Sequence, residues 1–471
     1  MSTYNRVVAA DETTNSLAPA VRARLATEMA DDTSEVGASL SGTFVKYAPA
    51  PSGGDDQAAI QTVLDAASPG DTVMLHPGTY LVNLAAHPVT ATYSCALAIP
   101  SGVRLVGAGM GATTIKLIAN QTLGVSNTNG PAIIYNRTLT GGDEDIWIQD
   151  LTVDGNGANQ TLLQNGIIFV RTRGGGCTRV RVKNVKGTTN FPPNETMHFD
   201  TQLGMDTSYT DCEAVGTAGT QGSGFSCNRA TLVRYTGCTA RGMSAGMGFT
   251  NWASQLVSHV NCYAYENYSN GFNSEEGQDV SYTGCHAGGE IAAGGDYYVA
   301  GTSLGNTGSG FAINGTKNAV LTSCVSRKNQ TGISLVEGTN GAAGRINTCV
   351  FNDNTTSGVN ANTAATLLRW FIDASTVCEG NTVAAYSLPT GYNTGPGAQI
   401  STAPTVPATT VSLVNPYPFR VSVYILTGQP TSLLRVNGAD LNTSTEHIIL
   451  DPGMDIAFWY STAPTWIWFA L

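Results

Sequence analysis

The sequence predicts an all-β protein built around a parallel β-helix, and three observations lead to this fold class. A unit of about 24 residues recurs between Met197 and Asn381, and a fixed period of this length is typical of a solenoid. Inside each unit apolar and polar side chains alternate, which indicates strands rather than helices. Glycine is abundant, with 54 residues in the chain, and it suits the corners between short strands.

The repeats can be aligned position by position. In five units a histidine or a glycine stands fourteen residues before a cysteine, and the residue after this landmark is always phenylalanine. Alternation then predicts three interior ladders, of phenylalanine, of the residue three places before the cysteine, and of the cysteine itself. Their members are Phe199, Phe225, Phe249, Phe272 and Phe311; Tyr209, Tyr235, His259, Tyr282 and Leu321; and Cys212, Cys238, Cys262, Cys285 and Cys324.

Ten cysteines raise the question of disulfide bonds. Six of them, from Cys212 to Cys349, hold the same place in successive units. A small thiol at such a position packs as a buried apolar group. We therefore predict free thiols, in a protein that folds in a reducing cytoplasm.

Charge and hydropathy exclude several classes of function. The chain has 471 residues and a net charge of −11, whereas nucleic-acid binding requires a basic surface. No run of eighteen or more apolar residues occurs, so we expect no membrane span. The N-terminus lacks the apolar core of a secretion signal, so we expect no Sec-type export.

The N-terminal part divides into an arm and the start of the β-helix. In the arm, residues 1–52, the stretch from Leu17 to Ala30 can form a short amphipathic helix. The arm is interpreted either as a poorly ordered tail or as a docking and oligomerising segment. The β-helix covers residues 53–387, and a helix predicted from Asp55 to Ala67 would close its open apolar end.

The C-terminal part is distinct from the repeats. Residues 388–410 are rich in proline, threonine and glycine and form a linker. Residues 411–471 alternate as short strands, which predicts a small β-sandwich. Its many aromatic residues indicate either a core with a subunit interface or a sugar-binding face.

Four segments within residues 53–160 resemble a known family. DDQAAIQTVLDAA, GDTVMLHPGTYLV, SGVRLVGAGMGATTIKL and LTVDGNG resemble the pectate-lyase-like right-handed β-helix family of phage tailspikes and capsule depolymerases. The resemblance implies a right-handed coil in a homotrimeric, virion-attached protein that acts on bacterial surface polysaccharide. The arm and the C-terminal tail also resemble phage tail proteins, which implies that the arm anchors the chain to a tail or baseplate protein.

The protein would then be assembled in the host cytoplasm and act outside, at the host surface. The scaffold carries lyases, hydrolases and non-enzymatic binders, so the reaction needs its own argument.

Two outward columns of polar residues run along the aligned coils, and we call them together the outer strip. Adjacent coils rise by about 4.8 Å, so the members of each column lie close together. A tryptophan in such a strip suits stacking on a sugar ring. The first column is Asp200, Ser226, Thr250, Asn273 and Ala312, and the second is Gln202, Asn228, Trp252, Glu275 and Asn314. The substrate-binding residues predicted here are Trp252, Asn228, Gln202, Asn273, Asn314 and, from a neighbouring return, Tyr297.

Hydrolysis of a glycan requires two carboxyl groups at about 5–5.5 Å or about 6.5–9.5 Å. Asp200 and Glu275 lie three coils apart, about 14 Å, which is too far for a pair. We therefore predict a local pair of Glu275 with Glu276 or with Asp296, which belongs to an expanded return. The alternative is that Glu276 forms a turn and Asp296 caps the loop.

A second centre is predicted at His198 and Asp200, beside the long return that contains Glu195. Its chemistry would suit a lyase, in which a base removes the proton next to a uronate carboxylate. His259 falls in the tyrosine ladder and is interpreted as a core residue.

The function we predict is that of a tailspike depolymerase, which cleaves host polysaccharide by endo-hydrolysis or, as the second choice, by β-elimination. The alternatives are a non-enzymatic receptor-binding spike and a purely structural tail component. No cofactor and no metal is predicted. The cysteines point inward, the turn after Asp154 lacks the spaced acids of a calcium loop, and no helix opens after Gly107 to make a dinucleotide site.

Overall fold

A computed structural model describes most of the β-helix and the C-terminal region. The described residues are 10–11, 16–17, 45–90, 93–122, 131–187, 196–216, 222–289, 305–338, 343–362, 370–373, 375–387, 404–417, 420–427, 433–441, 447–460, 463 and 465–470. The helix predicted from Leu17 to Ala30 lies outside them, except that Leu17 belongs to a two-residue strand, Ser16–Leu17, which pairs with Ala10–Asp11.

A right-handed parallel β-helix with three faces confirms the predicted fold class. One face is a sheet of twelve strands, called here the long sheet, and all its neighbouring pairs except the first are parallel. The strands of the long sheet are Ala85–Ala86, Ser94–Ile99, Ala132–Asn136, Asn165–Val170, Met197–Gln202, Ser223–Asn228, Phe249–Trp252, Phe272–Glu275, Ser309–Asn314, Thr331–Val336, Ser357–Ala361 and Ala384–Ser387.

The second and third faces form one hydrogen-bonded network, because Glu144–Asp154 and Arg173–Lys183 run across both faces. The other strands of the second face are Val45–Tyr47, Thr72–Met74, Arg104–Val106, Met205–Thr210, Thr231–Thr236, Gln255–Val260, Gln278–Thr283, Ala319–Thr322, Gly344–Asn347 and Trp370–Ile372. Those of the third face are Gly78–Val82, Thr113–Leu117, Glu213–Val215, Thr239–Arg241, Tyr263–Tyr265, His286–Gly288, Val325–Arg327 and Val350–Asn352. A single turn of 3-10 helix covers Gly157–Asn159.

The three predicted ladders form the core of the β-helix. Successive phenylalanine rings from Phe199 to Phe311 stack with centroids 4.6 to 5.0 Å apart. The tyrosine ladder stacks beside it and includes His259, which confirms the core interpretation of that residue. All ten cysteines are free and buried, as predicted. Since the ladder members are identical or similar from coil to coil, each coil offers its neighbour a matching apolar surface.

The predicted helix before the first coil is Gln57–Asp65, with Asp56 as its N-cap residue. Ile60 and Leu64 are buried against the core. On the same helix Gln57 donates a hydrogen bond to the carbonyl of Ala96, and Gln61 both donates to and accepts from the backbone of Ala98. The helix therefore covers the apolar end of the solenoid and also pairs polar groups on the edge of strand Ser94–Ile99.

An asparagine ladder, absent from the sequence analysis, builds the corner that precedes the long sheet. Each side-chain oxygen accepts a backbone N–H from the equivalent position of the preceding coil, as Asn306 does from Asn267 and Asn267 from Met243. Each side-chain nitrogen donates to a carbonyl of the preceding coil, as Asn306 does to Ala264. The members are Asn267, Asn306, Asn329, Asn354 and Asn381. The landmark glycines give this ladder room, since a Cβ on Gly271 would lie 2.8 Å from the Asn306 amide nitrogen.

The C-terminal region is a sandwich of two antiparallel sheets, as predicted. One sheet consists of Ser412–Val414, Asp455–Trp459, Leu433–Val436 and Ala439–Leu441, and the other of His447–Leu450, Val421–Thr427 and Thr465–Ala470. Four aromatic side chains, Tyr417, Phe458, Trp466 and Trp468, are buried in it. Within the described part of the chain, no helix has the length and apolarity that crossing a bilayer requires.

Candidate active site

The outer strip exists as predicted. Strand register aligns Asp200 with Ser226, then Thr250, Asn273 and Ala312. The same register aligns the second column, which is Gln202, Asn228, Trp252, Glu275 and Asn314. The columns differ in burial, because Asp200, Ser226 and Asn273 of the first column are buried whereas the residues of the second column are half-buried or exposed. The second column is thus the more accessible of the two.

The Asp200 carboxyl group is buried, and one of its two oxygens makes no hydrogen bond to the described residues. Its neighbours Phe199 and Thr201 point into the core, so the carboxyl group lies on the outer side of the strand, but it is only 3% exposed. Oδ2 accepts a hydrogen bond of 2.6 Å from the Gln202 amide, and Oδ1 is buried with no hydrogen-bond partner within the described part of the chain. Burial raises the pKa of Asp200 to about 6, although the hydrogen bond from Gln202 and the nearby polar groups of Ser226 and the Thr201 backbone lower it. This carboxyl group can take up and release a proton near neutral pH.

His198 does not share this environment, which corrects the prediction of a His198–Asp200 centre. The ring is 1% exposed, with Nδ1 3.0 Å from the carbonyl oxygen of Ser223 and Nε2 3.3 Å from that of Val215. A neutral imidazole has one N–H, so only one of these contacts is a hydrogen bond. Burial lowers the pKa of His198 to about 4. His198 fills the corner where the following coils have glycine, and it belongs to the core.

Glu275 and Glu276 lie at the end of one strand of the long sheet and are half-buried. The Glu275 carboxylate accepts a hydrogen bond of 3.1 Å from the Asn273 amide. Glu276 occupies the left-handed corner that follows, with φ of 54°, and its backbone N–H bonds to the carbonyl of Asn314. The predicted partner residues Asp296 and Tyr297 lie outside the described residues, as does Glu195, so those predictions stay open.

Arg229, which the sequence analysis did not select, lies beside the outer strip. The Arg229 guanidinium lies over the ring of Trp252, with its carbon 4.6 Å from the ring centroid. Trp252 itself is 39% exposed. Six other arginines bind carboxylates, as Arg234 binds Asp206, but within the described part of the chain Arg229 has no carboxylate partner. In a protein of net charge −11, this cation is held against an aromatic ring and stays available to an acidic ligand.

No group of three or more histidine, cysteine, aspartate or glutamate side chains within the described residues has the geometry to hold a metal ion. The cysteines are too deeply buried to act as nucleophiles at the surface, and burial raises the pKa of Cys227 to about 12. Proton transfer and ligand stacking are thus the chemistry that the outer strip offers.

Comparison with known proteins identifies the fold and partial relatives. No family model matches the chain. The mannuronan C5-epimerase AlgE4 of Azotobacter vinelandii is 34% identical over 150 residues, which cover 30% of this chain and 25% of AlgE4. For AlgE6 of the same organism the identity is 37% over 107 residues, 22% of this chain and 11% of AlgE6. The chain thus aligns with a quarter or less of these relatives.

Two solved structures align with most of this chain. The A-module of AlgE4 gives a TM-score of 0.52 at 18% identity and covers 73% of this chain and 97% of its own. This likeness shows that the two share the β-helix fold. The Dettilon tailspike protein gives a TM-score of 0.49 at 11% identity, with 95% of this chain and 98% of that chain covered.

Proposed function

We propose that this protein is a polysaccharide-active enzyme that binds a glycan along the outer strip and removes a proton from a sugar carbon with Asp200. The observation that supports this most is the Asp200 carboxyl group, buried on the strip with Oδ1 unpartnered and a pKa raised to about 6. Such a group is mostly ionised at neutral pH, and its proton affinity is still close to the working pH, as an efficient general base requires.

The chemistry suits a glycan that contains a uronic acid. Removal of the proton next to the sugar carboxylate leaves an electron pair on C5. If the bond from C4 to the glycosidic oxygen then breaks, the pair forms a C4=C5 double bond, the oxygen is protonated, and the chain is cleaved by β-elimination. If a proton instead returns from the opposite face, the sugar is epimerised and the chain stays intact. The names of the partial relatives, mannuronan C5-epimerases, support this first step.

Trp252 and Arg229 would hold the substrate. The exposed indole offers a flat apolar surface to a sugar ring, and the guanidinium beside it offers hydrogen-bond donors to a carboxylate of a neighbouring sugar. Trp252 lies two coils from Gln202 in the same register, and Arg229 directly follows Asn228, which lies one coil from Gln202. A glycan bound to them would extend along the strip toward Asp200.

Hydrolysis by paired carboxylates is the second candidate. It is favoured by the position of Glu275, which is half-buried and directly in register with Trp252. Its acid partner would be Glu276 or Asp296. Asp200 cannot serve, because three rungs separate it from Glu275, about 14 Å.

We also propose, from the family resemblance, that the chain is a phage tailspike that acts on host-surface polysaccharide as a homotrimer. Residues 1–52 would attach it to the tail. Light scattering of the purified protein should then give a mass three times the 49.0 kDa of one chain. A monomeric mass would contradict the tailspike assembly without bearing on the chemistry.

The test is an incubation with mannuronan and with host-surface polysaccharide, in which reducing ends, ultraviolet absorbance of unsaturated ends, and deuterium uptake from solvent at C5 are followed together. Unsaturated ends indicate elimination, and deuterium uptake without cleavage indicates epimerisation. We expect Asp200→Asn to abolish either activity and Glu275→Gln to leave it largely intact. Reducing ends without absorbance, lost in Glu275→Gln, would establish the hydrolase instead. Binding without any product would leave a receptor-binding spike.

A further inference from the structure

We infer that Gln202 is a positioning residue, whose amide holds one oxygen of Asp200 so that the other oxygen, Oδ1, exchanges the proton in the reaction. This inference rests on the proposed function and names the atom that performs it. Gln202 and Asp200 are two residues apart on strand Met197–Gln202, so their side chains lie on the same side of the sheet. The bond from Gln202 Nε2 to Asp200 Oδ2 is 2.6 Å long.

The orientation of the amide is fixed by charge. Its NH₂ group donates to a carboxylate, whereas its carbonyl oxygen would be repelled, so Nε2 faces Asp200. With Oδ2 bound, Oδ1 is the carboxyl oxygen whose lone pairs have no partner among the residues that the structure describes. A buried acceptor left unpaired is unfavourable in a resting protein, and this one lies on the strip where a substrate would bind.

A second pair on the strip shows that the arrangement at Asp200 is specific. In the coil of Glu275 an amide and a carboxylate also stand two residues apart, but Asn273 is the buried member and Glu275 the half-buried one. In this second pair the donor belongs to the first column and the acceptor to the second. At Asp200 the acceptor belongs to the first column and the donor to the second. Along the described outer strip, the coil of Asp200 is the one in which a half-buried amide holds a buried carboxyl group.

The other titratable groups near Asp200 do not obscure its titration. Burial raises the pKa of each above its ordinary value, so all are neutral when Asp200 titrates. They are Tyr135, Tyr209, Tyr235 and Cys227. His198, on the same strand, is neutral above its pKa of about 4. Among the polar groups that lower the pKa of Asp200, Gln202 has the largest effect, ahead of Ser226 and the backbone of Thr201.

The experiment is a carbon-13 titration of the aspartate carboxyl groups in the full-length protein, with the Asp200 signal identified by its loss in Asp200→Asn. In Gln202→Met we expect the midpoint of Asp200 to rise by about one pH unit, because a hydrogen bond to a charged group changes proton affinity about tenfold. Gln202→Glu should raise it further. Asn228→Met, one rung away in the same column, should leave it unchanged.

An unchanged midpoint in Gln202→Met would overturn the positioning role. In a plot of turnover rate against pH, the limb set by ionisation of Asp200 should shift to higher pH together with the midpoint. A rate that falls at every pH without a shift of this limb would also overturn the positioning role. The titration needs no substrate, so it is separate from the proposed function. Full turnover by Asp200→Asn would refute that function and leave the titration result standing.

Discussion

The imidazole of His259 lies on the phenol ring of Tyr235, with ring centroids 4.8 Å apart and planes inclined by 18°. The ring is completely buried, and neither nitrogen has a side-chain partner among the described residues, so burial lowers the pKa of His259 to about 3. The tyrosine ladder therefore accepts a histidine only in its neutral form.

This arrangement predicts sensitivity to acid. The unfolded chain binds a proton at His259 below about pH 6.5, and the folded protein does not until about pH 3, so stability falls as pH falls through this window. His259→Tyr should reduce the drop in thermal midpoint between pH 7 and pH 4. The contribution removed is at most about 1.4 kcal/mol per pH unit. Calorimetry at the two pH values tests this, with Tyr235→His as the reciprocal variant, which should enlarge the drop.

The titration of Asp200 should make stability depend on pH in the opposite direction. Its pKa is raised from 3.8 to about 6 in the folded protein, so the stability present below pH 3.8 is lost as pH rises to about 6. Asp200→Asn should therefore be more stable than the parent at pH 8, by about 2–3 kcal/mol, and similar to it near pH 4. Denaturant unfolding at both pH values measures the difference. Equal stabilities at pH 8 would mean that the carboxylate is not strained by burial.

Trp252 should contribute to glycan binding through its exposed ring. In an Asp200→Asn background, which prevents turnover, Trp252→Ala should weaken binding about tenfold, the loss expected for about 1.4 kcal/mol of apolar contact. Tyr263→Ala is the matched control, because Tyr263 is 40% exposed but lies on the third face. Titration calorimetry should show the loss only for Trp252→Ala. An equal loss in both variants would place the glycan elsewhere.

Gly332 occupies the landmark position of the coil that follows Phe311, since Phe311 pairs with Ile333, and it should resist substitution. A Cβ on Gly332 would lie 2.3 Å from the carbonyl oxygen of Gly358 and 2.7 Å from the Cβ of Phe351. Gly332→Ala should destabilise the protein by about 2–4 kcal/mol, because both neighbours belong to the packed core. Gly111→Ala, where nothing lies within 4 Å of the added carbon, is the control. Thermal unfolding of the two variants gives the comparison.

The thiols should be inert in the folded protein. All ten are free and buried, and burial raises the pKa of Cys95 and Cys227 to about 12. A disulfide reagent at pH 8 should therefore find no reactive cysteine in the native state and ten in denaturant. Fast labelling under native conditions would show that coils of the solenoid open readily.

The ladders could be predicted from sequence because the period is constant. Phe199 and Phe225 occupy equivalent positions, and equal spacing forces their rings to stack. The same alignment placed Trp252 in register with Glu275, and the structure confirms it. Local alternation and repetition thus determine which column a residue joins.

The burial of the columns could not be predicted in this way. Asp200 lies on the outer side, as alternation requires, yet it is only 3% exposed. His198 departs from alternation, since its ring is buried between the carbonyl groups of Ser223 and Val215. The sequence carried a signal for this corner. The position equivalent to His198 is glycine in the next coils, as at Gly224, and in the later coils an asparagine stands three or four residues before that glycine.

The hydrogen bonds that Gln57 and Gln61 make to strand Ser94–Ile99 have a consequence for the protein in concentrated solution. An unprotected edge of a sheet is a template on which another copy can add its own strand, and the addition can repeat without limit. The two glutamine amides occupy backbone groups that such a copy would need, and the helix blocks its approach. The chain thereby carries its own barrier to end-to-end fibre growth from that side.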